Sequence, residues 1–273
     1  MTRLYGVIGD PISHSLSPLI HKGWMRDFSL DADYRGYHVP AGQAVAALTA
    51  LEREGVKGLN VTLPHKSTVL PACSQMDKLV AMLGAANTLT RNPDGSWRAD
   101  NTDRDGFLQD FQEFVGGGFE GSKMLILGAG GAARAVVHAL HHSGAQVVIA
   151  NRTLQRAEDM CQQFALPAKR AIGLEQLPDA LEFADGVINC VSIGQGEGLL
   201  DLGQGRGRPF YDLSYGAGTD AVLARANEQG WITRDGIGML VGQAALSFQI
   251  WHGILPNKAV AIGRCRQALE ALR

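Results

Sequence analysis

Residues 124–152 read MLILGAGGAARAVVHALHHSGAQVVIANR, and this stretch decides the fold. The apolar run Met124–Leu127 enters a glycine turn, an alanine-rich helical segment follows, and a second apolar run covers Val147–Ala150. Short apolar runs bounded by such signals suit strands buried on both faces. Two of them joined by a helix make a βαβ unit with parallel strands. The turn GAGGAA places Gly128, Gly130 and Ala133 in a G-x-G-x-x-A pattern. Gly128 permits the tight turn, Gly130 lets backbone approach a pyrophosphate, and Ala133 lets helix pack close to strand. Gly128, Ala129, Gly130, Gly131 and Ala132 would together present backbone N–H groups at a helix N-terminus, where the dipole favours phosphate. A glycine turn has other uses, but its position between strand and helix favours dinucleotide binding.

The end of the next strand bears on the choice of cofactor. An NAD site usually places an acidic residue about 20 residues on, against the ribose 2′-hydroxyl. Here the chain reads NRTLQR: Asn151, Arg152, Thr153 and, four after the first arginine, Arg156. Two guanidinium groups and a hydroxyl suit a 2′-phosphate, and no carboxylate stands there to repel it. The plain alternative is a solvated i, i+4 arginine pair on a surface helix. After this glycine unit, NADP is the expected cofactor.

Working outward, RLYGVIGD (3–10), ADYRGYHV (32–39) and GLNVTLP (58–64) read as strands, with GQAVAALTALERE (42–54) a helix between the last two. SPLIHKGWMRDF (17–28) reads as a helix with Ser17 as its cap and Pro18 at its first position. MDKLVAMLGAANTLT (76–90) is helix then strand. FVGGGFEGSK (114–123) is a glycine-rich connector, and DGVINCVS (185–192) and RPFYDLSY (208–215) are further strands. GMLVGQAALSFQIWHG (238–253) and AVAIGRCRQALEALR (259–273) are closing helices, while GQGEGLLDLGQGRGRP (194–209) reads as a mobile surface loop. Alternating strands and helices give an α/β class with mostly parallel sheets.

Composition narrows the function. A net charge of -2 gives no electrostatic case for nucleic acid or an anionic membrane surface. No apolar run reaches the roughly 18 residues of a membrane span, and the N-terminal MTRLYGVIGD lacks a signal-peptide core. The four cysteines, Cys73, Cys161, Cys190 and Cys265, are far apart and form no C-x-x-C pair, so free thiols and a cytoplasmic setting are expected. No His/Cys/Asp cluster has metal-ligand spacing. The sequence leaves a homodimer open.

Polar residues also gather where strands end in the N-terminal half. PISHSLSP (11–18) brackets hydroxyls between prolines, NVTLPHK supplies Asn60, Thr62 and Lys66, GAANTL supplies Asn87, and DNTDRDGF supplies Asn101, Thr102 and Asp103. A lysine, an aspartate and several amides and hydroxyls suit a pocket for a small polyhydroxylated acid. Taken singly, each fits a turn, a cap or a solvated surface as well.

GDPISHSLSP, NVTLPHK, GAANTL, DNTDRDGF, GAGGAAR, NRT and DGIGMLVGQAALSFQIW, in this order and spacing, resemble the shikimate dehydrogenase family over almost the whole chain. The resemblance implies a Rossmann-type NADP-binding domain, 104–239, set within a second α/β domain, 1–103, that binds substrate and is completed by helices in 240–273. It implies Ser15 and Ser17 as hydroxyls for the substrate carboxylate. Asn60, Thr62, Asn87, Asp103 and Gln243 resemble ligands for the ring hydroxyls, Tyr215 a tyrosine that also reaches substrate, and Gly238 and Met239 the nicotinamide pocket. Lys66 resembles the catalytic lysine and Asp103 its hydrogen-bonding partner. The implied reaction is NADP-linked interconversion of 3-dehydroshikimate and shikimate, a small-molecule step toward aromatic amino acids. Departures stand at Val191, where the family commonly has a hydroxyl (NCVS for NATS), in the following IGQGEG, and at Gly216 and Ala217 (YGAGTD for YNPxxT). A quinate or broad-specificity relative and a non-catalytic NADP-binding module are the competing readings.

Overall fold

The computed structural model describes residues 2–191 and 201–272. The chain divides into two compact units, Met1–Gly106 with Leu240–Glu270, and Phe107–Met239 with Ala271–Arg273.

The first unit opens with β1 (Arg3–Gly9), α1 (Ser17–Asp27), β2 (Ala32–His38), α2 (Ala44–Arg53) and β3 (Val56–Val61). Tyr5 to Gly9 are all buried, as expected of a strand covered on both faces. β1 pairs parallel with both neighbours, Tyr5 lying opposite Tyr34 on one side and Gly58 on the other. The chain continues through β4 (Cys73–Met76), α3 (Lys78–Leu83), β5 (Thr88–Arg91) and β6 (Trp97–Asp100). The sheet order is β2-β1-β3-β5-β6-β4. β5 runs antiparallel to β3 and to β6, and the other pairings are parallel. The β5–β6 hairpin turns on Pro93-Asp94-Gly95, where the Asn92 N–H donates to Ser96 O at 2.9 Å and the Gly95 N–H to Asn92 O at 3.0 Å.

One sequence expectation is corrected here. Ser17 is not the cap of α1: Leu16 holds that position, Ser17 is the first helical residue, and no side chain caps the end. The Ser15 hydroxyl oxygen, at 3.3 Å, takes the Ser17 N–H.

α4 (Asp103–Val115) carries the chain into the second unit. There follow β7 (Lys123–Leu127), α5 (Gly131–His142), β8 (Gln146–Ala150), α6 (Leu154–Gln163), β9 (Ala171–Ile172), α7 (Leu177–Phe183), β10 (Gly186–Asn189), β11 (Pro209–Asp212), α8 (Ala217–Glu228) and β12 (Ile232–Arg234). The strands are all parallel, in the order β12-β11-β10-β7-β8-β9. From central β7 the chain steps outward to β8 and β9 on one side, then returns to β10 and proceeds the other way. That is the Rossmann order, and its reversal point lies between β7 and β10. Such sheets take ligands at the carboxyl ends of the strands around this reversal point.

Of the glycine-rich stretch 194–209, residues 194–200 lie outside the described residues. The remainder is anchored rather than loose: Leu202 is buried, and the Arg208 guanidinium donates to Leu181 O and Ala184 O at 2.7 and 2.6 Å. A buried leucine and a guanidinium filled by carbonyls hold this segment where glycine content alone suggested mobility.

α9 (Ile237–His252) returns the chain to the first unit and α10 (Lys258–Glu270) closes it. Within that unit, α4 and α9 approach through glycine: a Cβ on Gly106 would fall 2.6 Å from the Gln243 backbone nitrogen. That contact lets the Gln243 side chain reach the residues at the strand ends.

Candidate active site

The polar residues singled out in the first unit leave the carboxyl ends of its strands, and several meet. Lys66 follows the turn after β3, and its Nζ donates to Asp103 Oδ2 at 2.6 Å. Both side chains are largely enclosed, 12% and 5% exposed. Asp103 opens α4, a favourable place for a carboxylate beside the helix dipole. Asn101 supplies the capping interaction, its Oδ1 taking the Asp103 N–H at 3.1 Å. The other Asp103 oxygen accepts from Asn87 Nδ2 at 2.9 Å.

Asn87 is the hub of this network. Its Nδ2 also faces Thr102 Oγ1 at 2.9 Å and Gln243 Oε1 at 3.0 Å, and its Oδ1 takes the Thr102 N–H at 2.7 Å. Asn60 joins it from β3, donating from Nδ2 to Asn87 O at 3.2 Å and to Ser247 Oγ at 2.9 Å. Ser247 in turn meets Thr88 Oγ1 at 2.7 Å. Lys66, Asn87, Asp103, Gln243 and Asn60 thus belong to one connected, largely buried set. Thr62 stands just beyond β3, its N–H donating to Ile8 O at 3.0 Å. Ser15 is half-buried and Ser17 buried, while Ser13 and His14 are exposed.

Sequence reasoning missed several members. Ser247 and Thr88 tie α9 to the strand ends, and Tyr34 donates its phenol proton to Asn60 Oδ1 at 2.7 Å. His65 is wholly buried, and its Nε2 meets Val39 O at 2.6 Å, fixing the turn that carries Lys66. A hydroxyl in the apolar run of α9 and a histidine beside Lys66 were the available signals.

The second unit holds the other candidate residues. Gly128 leaves β7 with φ +105°, a conformation that disfavours side chains, and a Cβ there would fall 2.5 Å from Val191 Cγ1 after β10. The two loops at the sheet's reversal point therefore touch. Gly130 precedes α5, no side chain caps that helix, and a Cβ at Gly130 would meet nothing within 4 Å. Uncapped N–H groups with open space before them fit a pyrophosphate. Ala133 is fully buried against the sheet. Ala129, Gly131 and Ala132 are half-buried around the same turn.

Asn151 follows β8 and donates from Nδ2 to Thr153 O at 2.8 Å. Arg152 lies before α6 and Arg156 within it, so they are not a pair on one helix. Both are exposed, and among the described residues neither forms a salt bridge. Tyr215 is half-buried beyond β11. Gly238 and Met239 lie in the first turn of α9, with Gly238 pressed against the Asp110 carboxylate. That carboxylate accepts from Tyr211 Oη at 2.6 Å and Arg234 Nη1 at 2.8 Å.

Comparison with known proteins places the chain in a family. Family models match along the chain: the shikimate dehydrogenase substrate binding domain over residues 7–89, shikimate / quinate 5-dehydrogenase over 111–196, and the shikimate 5′-dehydrogenase C-terminal domain over 236–271. A relative from Hyphomonas neptunium, named shikimate dehydrogenase (NADP(+)), is 46% identical over 273 residues and 99% of each chain. The protein belongs to the shikimate dehydrogenase family. Among solved structures, shikimate dehydrogenase from Aquifex aeolicus has a TM-score of 0.89 at 31% identity, covering 97% of this chain and 98% of its own. Shikimate 5-dehydrogenase from Thermus thermophilus, solved with NADP(H) and shikimate, has a TM-score of 0.85 at 31% identity, covering 98% and 100%.

As a shikimate dehydrogenase family member, the chain is an oxidoreductase, and its departures from the family pattern have visible surroundings. Val191 is 38% exposed, with its methyl group against Gly128. Buried Asn189 clamps it, accepting the Val191 N–H at 3.2 Å and donating to Val191 O at 2.9 Å. Asn189 also donates to Asp212 Oδ2 at 3.1 Å, and Asp212 takes the Ser214 N–H at 2.8 Å. Asn189 and Asp212 thereby set the loops beyond β10 and β11; neither stood out in the sequence. Gly216 precedes α8 at φ 74°, and Ala217 is that helix's first residue. The atypical IGQGEG (193–198) lies outside the described residues.

Proposed function

We propose that the protein catalyses the reversible NADP-linked reduction of 3-dehydroshikimate to shikimate. The observation that carries this reading is the enclosed Lys66–Asp103 pair at 2.6 Å, its carboxylate oriented by Asn87. A buried ion pair contributes little net stability, because desolvation offsets its attraction; placed among strand-end amides and hydroxyls, it suits proton transfer. In this reading the first unit, Met1–Gly106 with Leu240–Glu270, binds substrate, and the second binds cofactor. The bound nicotinamide supplies or accepts the hydride. The Lys66 ammonium stabilises charge on the ring oxygen, and Asp103 orients both the lysine and the hydroxyl, so that one of the pair gives up the proton in reduction and recovers it in oxidation. Asn60, Thr62, Asn87, Gln243 and Tyr215 hold ring hydroxyls, and Ser15 and Ser17 hold the carboxylate.

NADP would rest its pyrophosphate on Gly128–Ala132. Asn151, Arg152, Thr153 and Arg156 would hold its 2′-phosphate, and Gly238 and Met239 would flank its nicotinamide. The unpaired arginines and the absence of a carboxylate at Asn151 support NADP over NAD. The free state of the four cysteines fits a cytoplasmic enzyme. The deciding experiment follows NADPH formation with shikimate or quinate, each with NADP or NAD. Turnover confined to shikimate and NADP is expected. Turnover mainly on quinate would make this a quinate-preferring relative, the second activity in the matching family description. Failure on both acids would overturn the catalytic reading.

A further inference from the structure

We infer that Asp110 is a positioning residue: its carboxylate sets the first turn of α9, and with it the Gly238–Met239 backbone that the nicotinamide rests on. This depends on the proposed place of Gly238 and Met239 beside the nicotinamide. Asp110 stands on α4, only 5% exposed, and three other elements of the second unit converge on it. Tyr211 on β11 and Arg234 on β12 are register partners in the parallel sheet. The Tyr211 hydroxyl donates to one carboxylate oxygen at 2.6 Å, and Arg234 Nη1 donates to the other at 2.8 Å. Gly238, in the first turn of α9, lies against the same group, which fills the place a side chain on Gly238 would take.

The carboxylate is held on both oxygens, so it cannot swing aside without leaving a buried donor unmet. Tyr211 is wholly buried and stands edge-on to Phe107 and Phe111, with ring centroids 5.5 and 5.9 Å away. Burial, and then the charge of Asp110, keep its phenol well above the ordinary pKa, so it remains a proton donor at working pH. The Arg234 guanidinium lies 5.2 Å from the ring centroid of Phe114, one turn further along α4. A carboxylate fixed in this way acts as a stop: the backbone at Gly238 comes up to it, and a side chain there is excluded. Its charge also sits beside the positive end of α9. The residues entering α9 are held as well, with the Gly236 N–H on Ser214 O at 2.9 Å and the Ile237 N–H on Asp235 Oδ1 at 3.3 Å.

This arrangement governs the placement of the nicotinamide rather than the grip on the rest of the cofactor. Gly128 follows β7 and Asn151 follows β8, whereas the partners of Asp110 lie on β11 and β12, across the centre of the sheet. The phosphate contacts therefore form without Asp110. Hydride transfer needs its two carbons about 3–3.5 Å apart, and an error of about 1 Å can cost about 10²-fold in rate. A first turn of α9 loosened by loss of the carboxylate would slow that step while most of the cofactor's contacts remain.

The test compares Asp110→Ala, Tyr211→Phe, Gly238→Ala and the double variant of Asp110→Ala with Gly238→Ala in the full-length enzyme. It reads kcat and KM for shikimate, the isotope effect on kcat with shikimate deuterated at the reacting carbon, and Tm. It also reads Kd for NADP and for adenosine 2′,5′-bisphosphate, which lacks the nicotinamide. Asp110→Ala should lower kcat about 10- to 100-fold and raise the isotope effect, with KM for shikimate and Kd for the bisphosphate within about 2-fold. Tyr211→Phe keeps the ring and releases one carboxylate oxygen, and should lower kcat about 3- to 10-fold in the same pattern even if Asp110→Ala folds poorly. Gly238→Ala alone should lower kcat about 10-fold or more, and the double variant, whose methyl enters the vacated space, should be no worse than either single variant. A merely structural aspartate would weaken NADP and the bisphosphate alike and leave the isotope effect where it was. Unchanged kcat in Asp110→Ala or Tyr211→Phe, parallel loss of both ligands, or additive losses in the double variant would overturn the inference while leaving Gly238 and Met239 beside the nicotinamide. Unchanged kcat and Kd in Gly238→Ala would overturn both.

Discussion

Acidification should destabilise the first unit through His21, and the size of the effect follows from its surroundings. The imidazole is wholly buried, and neither ring nitrogen has a partner at hydrogen-bonding geometry. Burial, then the charge of nearby His252, push its pKa from 6.5 down to about 3, with Asn60 opposing in part. In the unfolded chain His21 takes up a proton below pH 6.5, while in the folded chain it stays neutral until about pH 3. Protons thus favour the unfolded state, and stability is lost as pH falls from 6.5 toward 3. At pH 5 the loss from this group is about 2 kcal/mol relative to pH 7.5, and any folded value below about 4 gives the same figure. His252, lowered to about 4 mainly by burial, adds a similar slope. The assay is urea unfolding followed by tryptophan fluorescence at pH 7.5 and pH 5, comparing wild type with His21→Phe. The variant keeps an aromatic ring against Tyr34 and retains His252, so it should lose about 2 kcal/mol less than wild type across this interval. Equal losses in both proteins would refute the reasoning, showing that His21 protonates in the folded chain as readily as in the unfolded one.

Lys66→Ala should lower kcat for shikimate oxidation by about 10²- to 10⁴-fold, the usual worth of a positioned proton-transfer group, with a modest change in KM; near-normal kcat in steady-state assays would remove Lys66 from catalysis. The two turn glycines should separate in a paired thermal-melt and NADP-binding experiment. Gly128→Ala must adopt φ +105° and push against Val191, costing about 1–3 kcal/mol of stability. Gly130→Ala meets open space, so it should melt like wild type yet weaken NADP binding. Equal Tm values for the two variants would count against the strain assigned to Gly128.

How much of this could be read in the sequence depended on how local each signal was. The β7–turn–α5 unit was legible because glycine, apolar run and helix follow one another within a few residues. Lys66, Asn87 and Asp103 were legible as polar positions at strand ends, and Gln243 through the family resemblance, though their meeting was not. Ser247 was missed because its partner Asn60 lies 187 residues away, and a hydroxyl in the apolar run of α9 does not by itself name that partner. Asn189 and Asp212 escaped for the same reason, since each looks like an ordinary strand-end polar residue until the parallel register sets them side by side. The edge strand β4 hid differently. Only Cys73 of its four residues is buried, so it carries no alternating pattern to detect.

The proton count around Asn87 explains why these residues are buried together. Its amide has two protons, yet Thr102 Oγ1, Asp103 Oδ1 and Gln243 Oε1 all stand within 3.0 Å of Nδ2. Three acceptors compete for two donors, so one is always underserved, and in an enclosed site an unmet acceptor is costly. Lys66 relieves Asp103 through the other carboxylate oxygen, and Thr102 has its own hydroxyl proton to spend on Asn87 Oδ1 at 3.2 Å. Gln243 Oε1 has neither recourse, because its own amide nitrogen is turned to Leu240 O at 2.7 Å, so one Asn87 proton is best spent there and the other on Asp103 Oδ1. The count then closes within the chain, and enclosing the set together holds the Asp103 carboxylate in the orientation that meets Lys66.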